Sequence, residues 1–247
     1  MDKIKTIEEI AQRILALKAL LWRSDCEGYI HMSKDQAKIQ GSVMAANETS
    51  SWISREGIQD YLSPLEKEAL VKPVGAWDQS TFLNSTWRME SLAVILWSAG
   101  IVDNIPPYDI QANNEDILVL IRPFVNLSAV KDVIKMRQEE EIIKQRDIAE
   151  LWHWRSRTTK LIKEKLIPAN FDENKLMEIC KITSQKSFEL GEIPKPINND
   201  FPAFNKAYKD LADEEYHNCT SIAMERHFGL NWVCGYGNGW DDTPTGT

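Results

Sequence analysis

The stretch from Thr86 to Ala99 reads T-W-R-M-E-S-L-A-V-I-L-W-S-A and is followed by Gly100. Its second half is apolar on every side of a helical wheel, so we expect other elements to cover it all round. Gly100 supplies a C-terminal cap, because glycine adopts the left-handed conformation at little cost. The segment therefore predicts a central, buried α-helix.

Helix signals recur on both sides of this segment. Thr6 with Glu9 is a capping box, and Ser63-Pro64-Leu65-Glu66 combines an N-cap, a proline and a glutamate at the right spacing. The other predicted helices run from Ser33 towards Ile53, from Glu139 to about Ile167, from Asn170 to about Leu190 and from about Ala203 to Phe228. The sequence thus predicts an all-α fold, an irregular bundle of about seven to nine helices around the central helix with few or no strands.

Two segments are harder to assign. The short apolar run Ile117 to Ile121 fits a strand or a helix equally well. Residues 191–202 contain three prolines and form a predicted loop that could divide two domains, but the residues beyond it are too few for a comfortable independent core. We therefore predict a single domain over residues 1–247, with residues 229–247 as a C-terminal strap packed on the core.

Charge and composition narrow the possible partners. The formal charge of −8 repels a phosphate backbone, so we expect no nucleic acid, and the longest apolar run, Leu92 to Trp97, is far too short to span a bilayer. Four widely separated cysteines are typical of free thiols in a reducing compartment, which predicts a cytoplasmic location. The nine tryptophans favour a tryptophan-rich core over an aromatic ligand site.

Arg226 falls within the apolar stripe of the last predicted helix. A buried guanidinium needs an anion, because an unpaired buried charge is costly. Three carboxylates are candidate partners: Glu90, Asp241 and Asp242. We favour a structural ion pair that pins the C-terminal strap over an anion site in a ligand pocket.

The remaining polar faces give weaker signals. The long helix carries a polar stripe of Arg146, Glu150, His153 and Arg157, in which Glu150 could orient His153 as a base. An exposed salt-bridge ladder is the favoured interpretation of this stripe. Four residues of the last helix recur at a spacing of four and are expected to be solvated rather than catalytic: Asp213, His217, Ser221 and Glu225.

Motifs for phosphate binding, zinc hydrolysis and serine hydrolysis are absent from the sequence. Residues 235–239 are rich in glycine, but no helix follows whose N–H groups could hold a phosphate. The sequence therefore predicts no catalytic residue, no metal ligand and no cofactor.

Three blocks have a familiar combination of residues. They are Trp87-Arg88-Met89-Glu90, Arg146 with Trp152-His153-Trp154-Arg155, and Glu225-Arg226-His227 followed by Leu230-Asn231-Trp232 and Trp240-Asp241-Asp242. With weaker similarity from about Asp35 to Leu70, the chain resembles the DUF4272 family, whose function is unknown. The resemblance implies a helical bacterial protein and carries no activity, substrate or cofactor. Gly246 stands where the pattern has an acidic residue, which argues against cation binding by the extreme tail.

We expect the three blocks to meet in space as one polar and aromatic cluster. Its predicted members are Trp87, Arg88, Glu90, Arg146, Glu150, His153, Arg155, Arg226, His227, Asn231, Trp232, Trp240, Asp241 and Asp242. The favoured function is a non-enzymatic binding or interaction protein, for instance an inhibitor or an immunity-type partner of another protein. The alternative is an enzyme or a small-molecule sensor whose polar cleft the blocks form, and it requires these charged groups to be open to solvent.

Overall fold

A computed structural model of the protein describes residues 3–112, 117, 124–170 and 172–246. The chain is 65% helical, with eight α-helices and one small sheet in the described part, so the predicted all-α fold is confirmed. The helices are α1 (Ile7–Met32), α2 (Gln36–Arg55), α3 (Pro64–Val71), α4 (Gln79–Ser98), α5 (Leu127–Val133), α6 (Glu139–Lys163), α7 (Glu173–Glu189) and α8 (Asp213–Val233). The sheet pairs β1 (Pro202–Ala203) with β2 (Lys206–Ala207) in antiparallel register.

Helix α4 is the central helix that the sequence predicts. Its apolar residues from Leu92 to Leu96 are almost completely buried, because α1 and α8 both pack against it. It begins seven residues before Thr86, where Asp78 accepts a hydrogen bond from the Thr81 N–H. The apolar pattern misses this first part because its side chains are mostly polar. Gly100 ends the helix at a φ of +68°, and the N–H of Ile101 bonds back to the carbonyl of Leu96.

A glycine lets α4 and α8 approach closely. A Cβ placed on Gly229 of α8 would lie 2.8 Å from a methyl group of Val94 and 3.0 Å from the carbonyl oxygen of Ser91. No other residue type leaves this space free. The contact between these two helices forms the centre of the core, and α6 covers α8 from the other side.

Both predicted capping boxes are present. The Thr6 hydroxyl accepts from the Glu9 N–H while the Glu9 carboxylate accepts from the Thr6 N–H. Ser63 and Glu66 exchange the same two hydrogen bonds at the start of α3. Each cap satisfies N–H groups that have no partner within the helix, which is why these starts could be read from the sequence.

The other predicted helix limits need correction. Helix α2 is capped by Asp35 rather than Ser33, and α7 by Asp172 rather than Asn170, because these aspartates accept the first free N–H groups. Helix α6 ends at Lys163 rather than near Ile167, since Lys165 has a φ of +56°. Residues 203–212 do not begin the last helix.

A hairpin stands where that last helix was predicted to begin. Phe204 and Asn205 both have positive φ values and form the turn between β1 and β2. A short 3₁₀ turn at Tyr208–Asp210 follows, and α8 then runs from Asp213 to Val233. The predicted strap at residues 229–247 therefore begins with the last turn of α8.

Three further observations concern the rest of the chain. Of the ambiguous run at 117–121 only Ile117 is described and is buried, so the choice between strand and helix lies outside the described residues. All four cysteines are buried. Within the described ranges, no helix combines the length and the apolar character that crossing a bilayer requires.

Candidate functional site

The contact between α4 and α8 contains a fully buried ion pair. Arg226 donates from Nε to Glu90 Oε2 at 2.8 Å, and both side chains are sealed from solvent. Nη2 of Arg226 donates to the carbonyl of Ile110 at 2.9 Å, and Nη1 donates to carbonyls at 106 and 107. The second oxygen of Glu90 accepts from the N–H of Ala112 at 2.7 Å. The pair thus fastens the loop 106–112 to the core.

The predicted burial of Arg226 is confirmed, but its assignment to the C-terminal strap is wrong. Its carboxylate partner is Glu90, and neither Asp241 nor Asp242 bonds to it among the described contacts. The guanidinium is instead surrounded by the carbonyls of a loop that the sequence did not connect with α8. Its hydrogen bonds leave no open edge for a small anion.

A second ion pair lies beside the first, because Glu225 precedes Arg226 and Arg88 lies two residues before Glu90. Arg88 of α4 donates from Nη1 to Glu225 of α8 at 3.1 Å, and the hydroxyl of Ser91 donates to the same carboxylate at 2.7 Å. Glu225 is buried, which corrects the expectation that its face of α8 is solvated. At this end of α8 the helix is covered on every side, so a polar stripe no longer indicates exposure. Asp213 and His217 are exposed as expected.

The C-terminal segment, residues 235–246, packs on the core through Trp240. Its ring contacts Phe228 and Trp232 with centroid distances of 4.7 and 5.6 Å. The guanidinium of Arg13 stacks over the same ring at 4.3 Å. Asp241 accepts from the Leu65 N–H at 3.0 Å, at the positive end of α3. These contacts connect the segment to α1, α3 and α8.

An open groove of about 410 Å³ lies beside Trp240, and we call it the Arg88 groove. The guanidinium of Arg88 lies between the rings of Phe228 and Trp240, at 4.2 and 5.5 Å from their centroids. Four carboxylates and two cationic side chains line the groove: Glu66, Glu68, Glu225, Asp241, Lys72 and Arg88. Since Glu225 already neutralises Arg88, this groove does not present a net positive site to an anionic substrate. Asp242 lines a neighbouring surface around Arg13.

Arg13 and Glu66 form a third buried pair that the sequence analysis missed. Nη2 of Arg13 donates to Glu66 Oε1 at 2.6 Å, and both side chains are buried. The sequence did contain an indication of this pair. Arg13 follows Ile10 by three residues and so lies on the apolar face of α1, just as Arg226 lies on the apolar face of α8. A buried arginine on the apolar face of α1 needs an anionic partner for the same reason that Arg226 does.

His153 of α6 and His227 of α8 form a buried pair. Their Nδ1 atoms are 3.1 Å apart, and Asn231 Nδ2 lies 2.9 Å from His227 Nε2 while it donates to the carbonyl of Pro244 at 2.8 Å. Because Asn231 Nδ2 can only donate, His227 carries its proton on Nδ1 and donates a hydrogen bond to Nδ1 of His153, whose own proton is on Nε2. This chain of hydrogen bonds holds the C-terminal segment at Pro244.

Both histidines are neutral at physiological pH. Burial, and then the nearby Arg157 guanidinium, lower the pKa of His153 to about 4. Burial, followed by His153 and Arg146, lowers the pKa of His227 to about 3. A general base has a pKa nearer the working pH, so this pair suits a structural role better than proton transfer. Glu150 does not bond to His153 in the described contacts, because its carboxylate accepts from Arg146 at 2.6 Å.

The second block also contributes an anchor for the proline-rich loop at 191–202. Arg155 of α6 donates from Nε and Nη2 to the two oxygens of Asp200, at 2.7 and 2.6 Å, and both residues are fully buried. Asp200 further accepts from the N–H groups of Phe201 and Lys209. Asp200 was missed because no pattern distinguishes a buried aspartate in a loop from an exposed one.

The predicted cluster is therefore distributed over several places. Arg88, Trp240 and Asp241 line the Arg88 groove, Glu90 and Arg226 are sealed beneath it, and Arg155 is paired at the far side of α6. His153, His227 and Asn231 form a buried chain, Arg146 pairs with Glu150, and Trp232 supports Trp240. Trp87 lies on a separate surface with residues of α8. In the described part of the chain, the three blocks are spread over separate places rather than gathered around one of the pockets.

Comparison with known proteins gives one result. A family model described as "Domain of unknown function (DUF4272)" matches residues 1–179. The match includes the first block and the Trp152–Arg155 stretch and ends before the Glu225–Asp242 block. No curated protein and no solved structure matches significantly.

Proposed function

The chain belongs to the DUF4272 family, and since that family has no assigned activity, we propose that it is a binding protein that engages a basic surface of another protein. The surface around Trp87 carries this proposal. We call it the Trp87 face, lined by Trp87, Asp109, Ile110, Gln111, Phe204, Glu214, Glu215, His217, Asn218 and Ser221.

Apolar side chains occupy part of the Trp87 face. Ile110 is 54% exposed, and the rings of Trp87 and Phe204 are half-buried beside it. The backbone of Phe204 is held by a hydrogen bond from its N–H to Asp109 at 2.7 Å. Partly exposed aromatic and aliphatic groups on a rigid backbone are the usual anchors of a protein interface.

The charge of the Trp87 face selects the partner. Three carboxylates line it, at Asp109, Glu214 and Glu215, and none of the described residues that line it is a lysine or an arginine, although Lys206 beside it pairs with Glu215 at 2.7 Å. With a total charge of −8, the chain attracts a basic partner and repels an acidic one. This combination supports an inhibitor-like or immunity-type role, in which the protein acts by occupying its partner's surface. Four widely separated cysteines are typical of a reducing compartment, which supports a cytoplasmic location for the protein and its partner.

Affinity capture at native expression tests the proposal. The tagged wild-type chain should recover a basic protein in stoichiometric amount, and recovery should fall with rising salt because surface charges are screened. The double substitution Ile110→Arg with Glu214→Lys should reduce binding by about 100-fold, since it removes an anchor and reverses a charge.

Asp132→Lys on α5 is the matched control, because it reverses one exposed acidic charge away from the Trp87 face. This variant should bind as the wild type does. Equal loss in both variants, or a wild-type chain that captures no stoichiometric partner, would contradict the proposal.

A further inference from the structure

A small pocket between the C-terminal half of α1 and the first turns of α4 has features of a ligand site. Its volume is about 290 Å³, and it is lined by Leu21, Ser24, Asp25, Gly28, Tyr29, Met32, Phe82 and Thr86. We call it the Asp25 pocket. It shares no residue with the Trp87 face or the Arg88 groove, so it is independent of the proposed protein interface.

One charged group belongs to the Asp25 pocket. Asp25 has no hydrogen-bond or ion-pair partner in the described part of the chain, whereas its neighbour Glu27 pairs with Arg23 at 2.7 Å. Asp25 is exposed at the mouth of the pocket, and partial desolvation raises the pKa of its carboxyl group above the usual value. A carboxylate in this position is stabilised by any cation that enters.

The shape of the pocket depends on Gly28. A Cβ at this position would lie 3.2 Å from the ring of Phe82 and 3.3 Å from the end of the Met32 side chain. A larger residue would therefore fill the space between α1 and α4. Asp25, Gly28, Tyr29 and Met32 follow one another at helical spacing, which aligns the carboxylate, the gap and the aromatic ring along one face of α1.

The walls favour a cation that carries an apolar body. Tyr29 is 52% exposed and Phe82 is half-buried, so their rings offer π faces, and Leu21 and Met32 offer apolar contact. The pocket also lies at the C-terminal end of α1, where the helix dipole is negative. No lysine or arginine is among the described residues that line it, so nothing there would hold an anion.

We propose that the Asp25 pocket binds a small organic ammonium ion, with the ammonium group on Asp25 and the apolar body between Tyr29, Met32 and Phe82. The pocket is at the lower limit of the volumes that enclose small ligands, so it fits a monoamine with a short carbon chain. The Ser24 and Thr86 hydroxyls are bonded to each other at 3.0 Å and form a neutral floor.

Titration of the full-length protein with n-butylammonium, n-butanol and butyrate, monitored by ligand-observed NMR, tests whether the pocket prefers a cation. Butylammonium should bind saturably, at least about tenfold more tightly than butanol, because the carboxylate supplies most of the selectivity. Butyrate should not bind. Equal affinity for butylammonium and butanol, or the absence of saturable butylammonium binding, would overturn the proposal.

Variants test the assignment of the residues. Asp25→Asn should weaken butylammonium binding about tenfold or more, and Tyr29→Leu about two- to fivefold through the lost cation–π contact. Asp60→Asn, which removes an exposed carboxylate outside the pocket, should bind within a factor of two of the wild type. Circular dichroism checks that all three remain folded. Unchanged affinity in Asp25→Asn would overturn the assignment.

A lysine side chain of another protein carries the same ammonium chemistry. Titration with Nα-acetyl-lysine methylamide and with a peptide containing one internal lysine separates the two sources. Butylammonium should bind at least as well as either, because a volume of about 290 Å³ fits a short alkyl chain better than a lysine with its peptide backbone. Binding of the lysine peptide without binding of butylammonium would overturn the proposal in favour of a protein ligand.

Discussion

Arg226 shows what a single charged residue reveals about a helical protein. Its position on an apolar helix face predicts that it is buried, and it is completely inaccessible in the structure. Its partner could be only partly predicted, because Glu90 is 136 residues away and reaches it through the packing of α4 on α8. The same reasoning applies to Arg13, and Arg155 with Asp200 is a third case. Buried arginines thus mark the places where distant segments are joined.

The buried histidine pair makes stability depend on pH. Both pKa values lie below the ordinary value of 6.5, at about 4 for His153 and about 3 for His227, so the unfolded chain binds more protons than the folded one below pH 6.5. Their contribution is fully present above pH 6.5 and is lost as the pH falls towards these values. Each histidine contributes a slope of up to about 1.4 kcal/mol per pH unit in the free energy of unfolding.

Urea denaturation between pH 7.5 and 5.5 measures this slope before most carboxylates titrate. The variant His227→Gln should lose about half of the slope, because it removes one of the two histidines while burial and Arg157 still lower the pKa of His153. His217→Gln changes an exposed histidine and should keep the wild-type slope. Identical slopes in wild type and His227→Gln would show that the pair is not responsible.

At the scale of elements, the sequence predicts where helices begin better than it predicts which helices pack against each other. Thr6 with Glu9 and Ser63 with Glu66 could be read because a cap is a local arrangement of side chain and backbone. The hairpin at residues 202–207 was missed because the positive φ values of Phe204 and Asn205 are imposed by their surroundings, with Asp109 bonded to the Phe204 N–H. The predicted polar cleft shared by the three blocks is wrong for the same reason, because it depended on which helix faces pack together.

Substitutions at two helical glycines distinguish the effect of close helix packing from the effect of helix propensity. Gly229→Ala should destabilise the protein by about 1–3 kcal/mol, because the new methyl group meets Val94 and the backbone of Ser91. Gly41→Ala on α2 has nothing within 4 Å and should stabilise by up to about 1 kcal/mol through the better propensity of alanine. Chemical denaturation of both variants measures the difference. Stabilisation by Gly229→Ala would show that α4 and α8 can separate without cost.

At the scale of the whole molecule, the two ends of the described chain meet. The N–H of Lys5 donates to the carbonyl of Val233 at 2.8 Å, and Trp240 covers Arg13 of α1. Because α1, α4, α8 and the C-terminal segment share these contacts, we propose that residues 1–247 unfold as one unit. The sequence suggested this from the lack of a second core beyond residue 202, which is an argument from chain length alone.

Removal of residues 236–247 tests the role of the C-terminal segment. The truncation exposes Phe228 and Trp232 and leaves the Leu65 N–H without Asp241. Losing the buried Trp240 alone should cost about 3–5 kcal/mol, which lowers the melting temperature by about 6–20 °C for a chain of this size. Arg226 keeps Glu90, so the loss arises from the Trp240 contacts. Trp240→Ala in the full chain should reproduce most of the shift, and an unchanged melting temperature in both would refute this role.

The pairing of α4 with α8 has a consequence for the newly made chain. Ser91 and Glu225 are separated by 134 residues, so the apolar side of α4 leaves the ribosome long before α8 exists. At about 5–20 residues per second, this interval lasts roughly 7–27 s. During that time Leu92 to Leu96 lack one of the two helices that cover them in the finished protein. The nascent chain is therefore prone to aggregate until α8 is made. Its solubility depends on how quickly translation reaches α8, or on a chaperone that covers α4 until then.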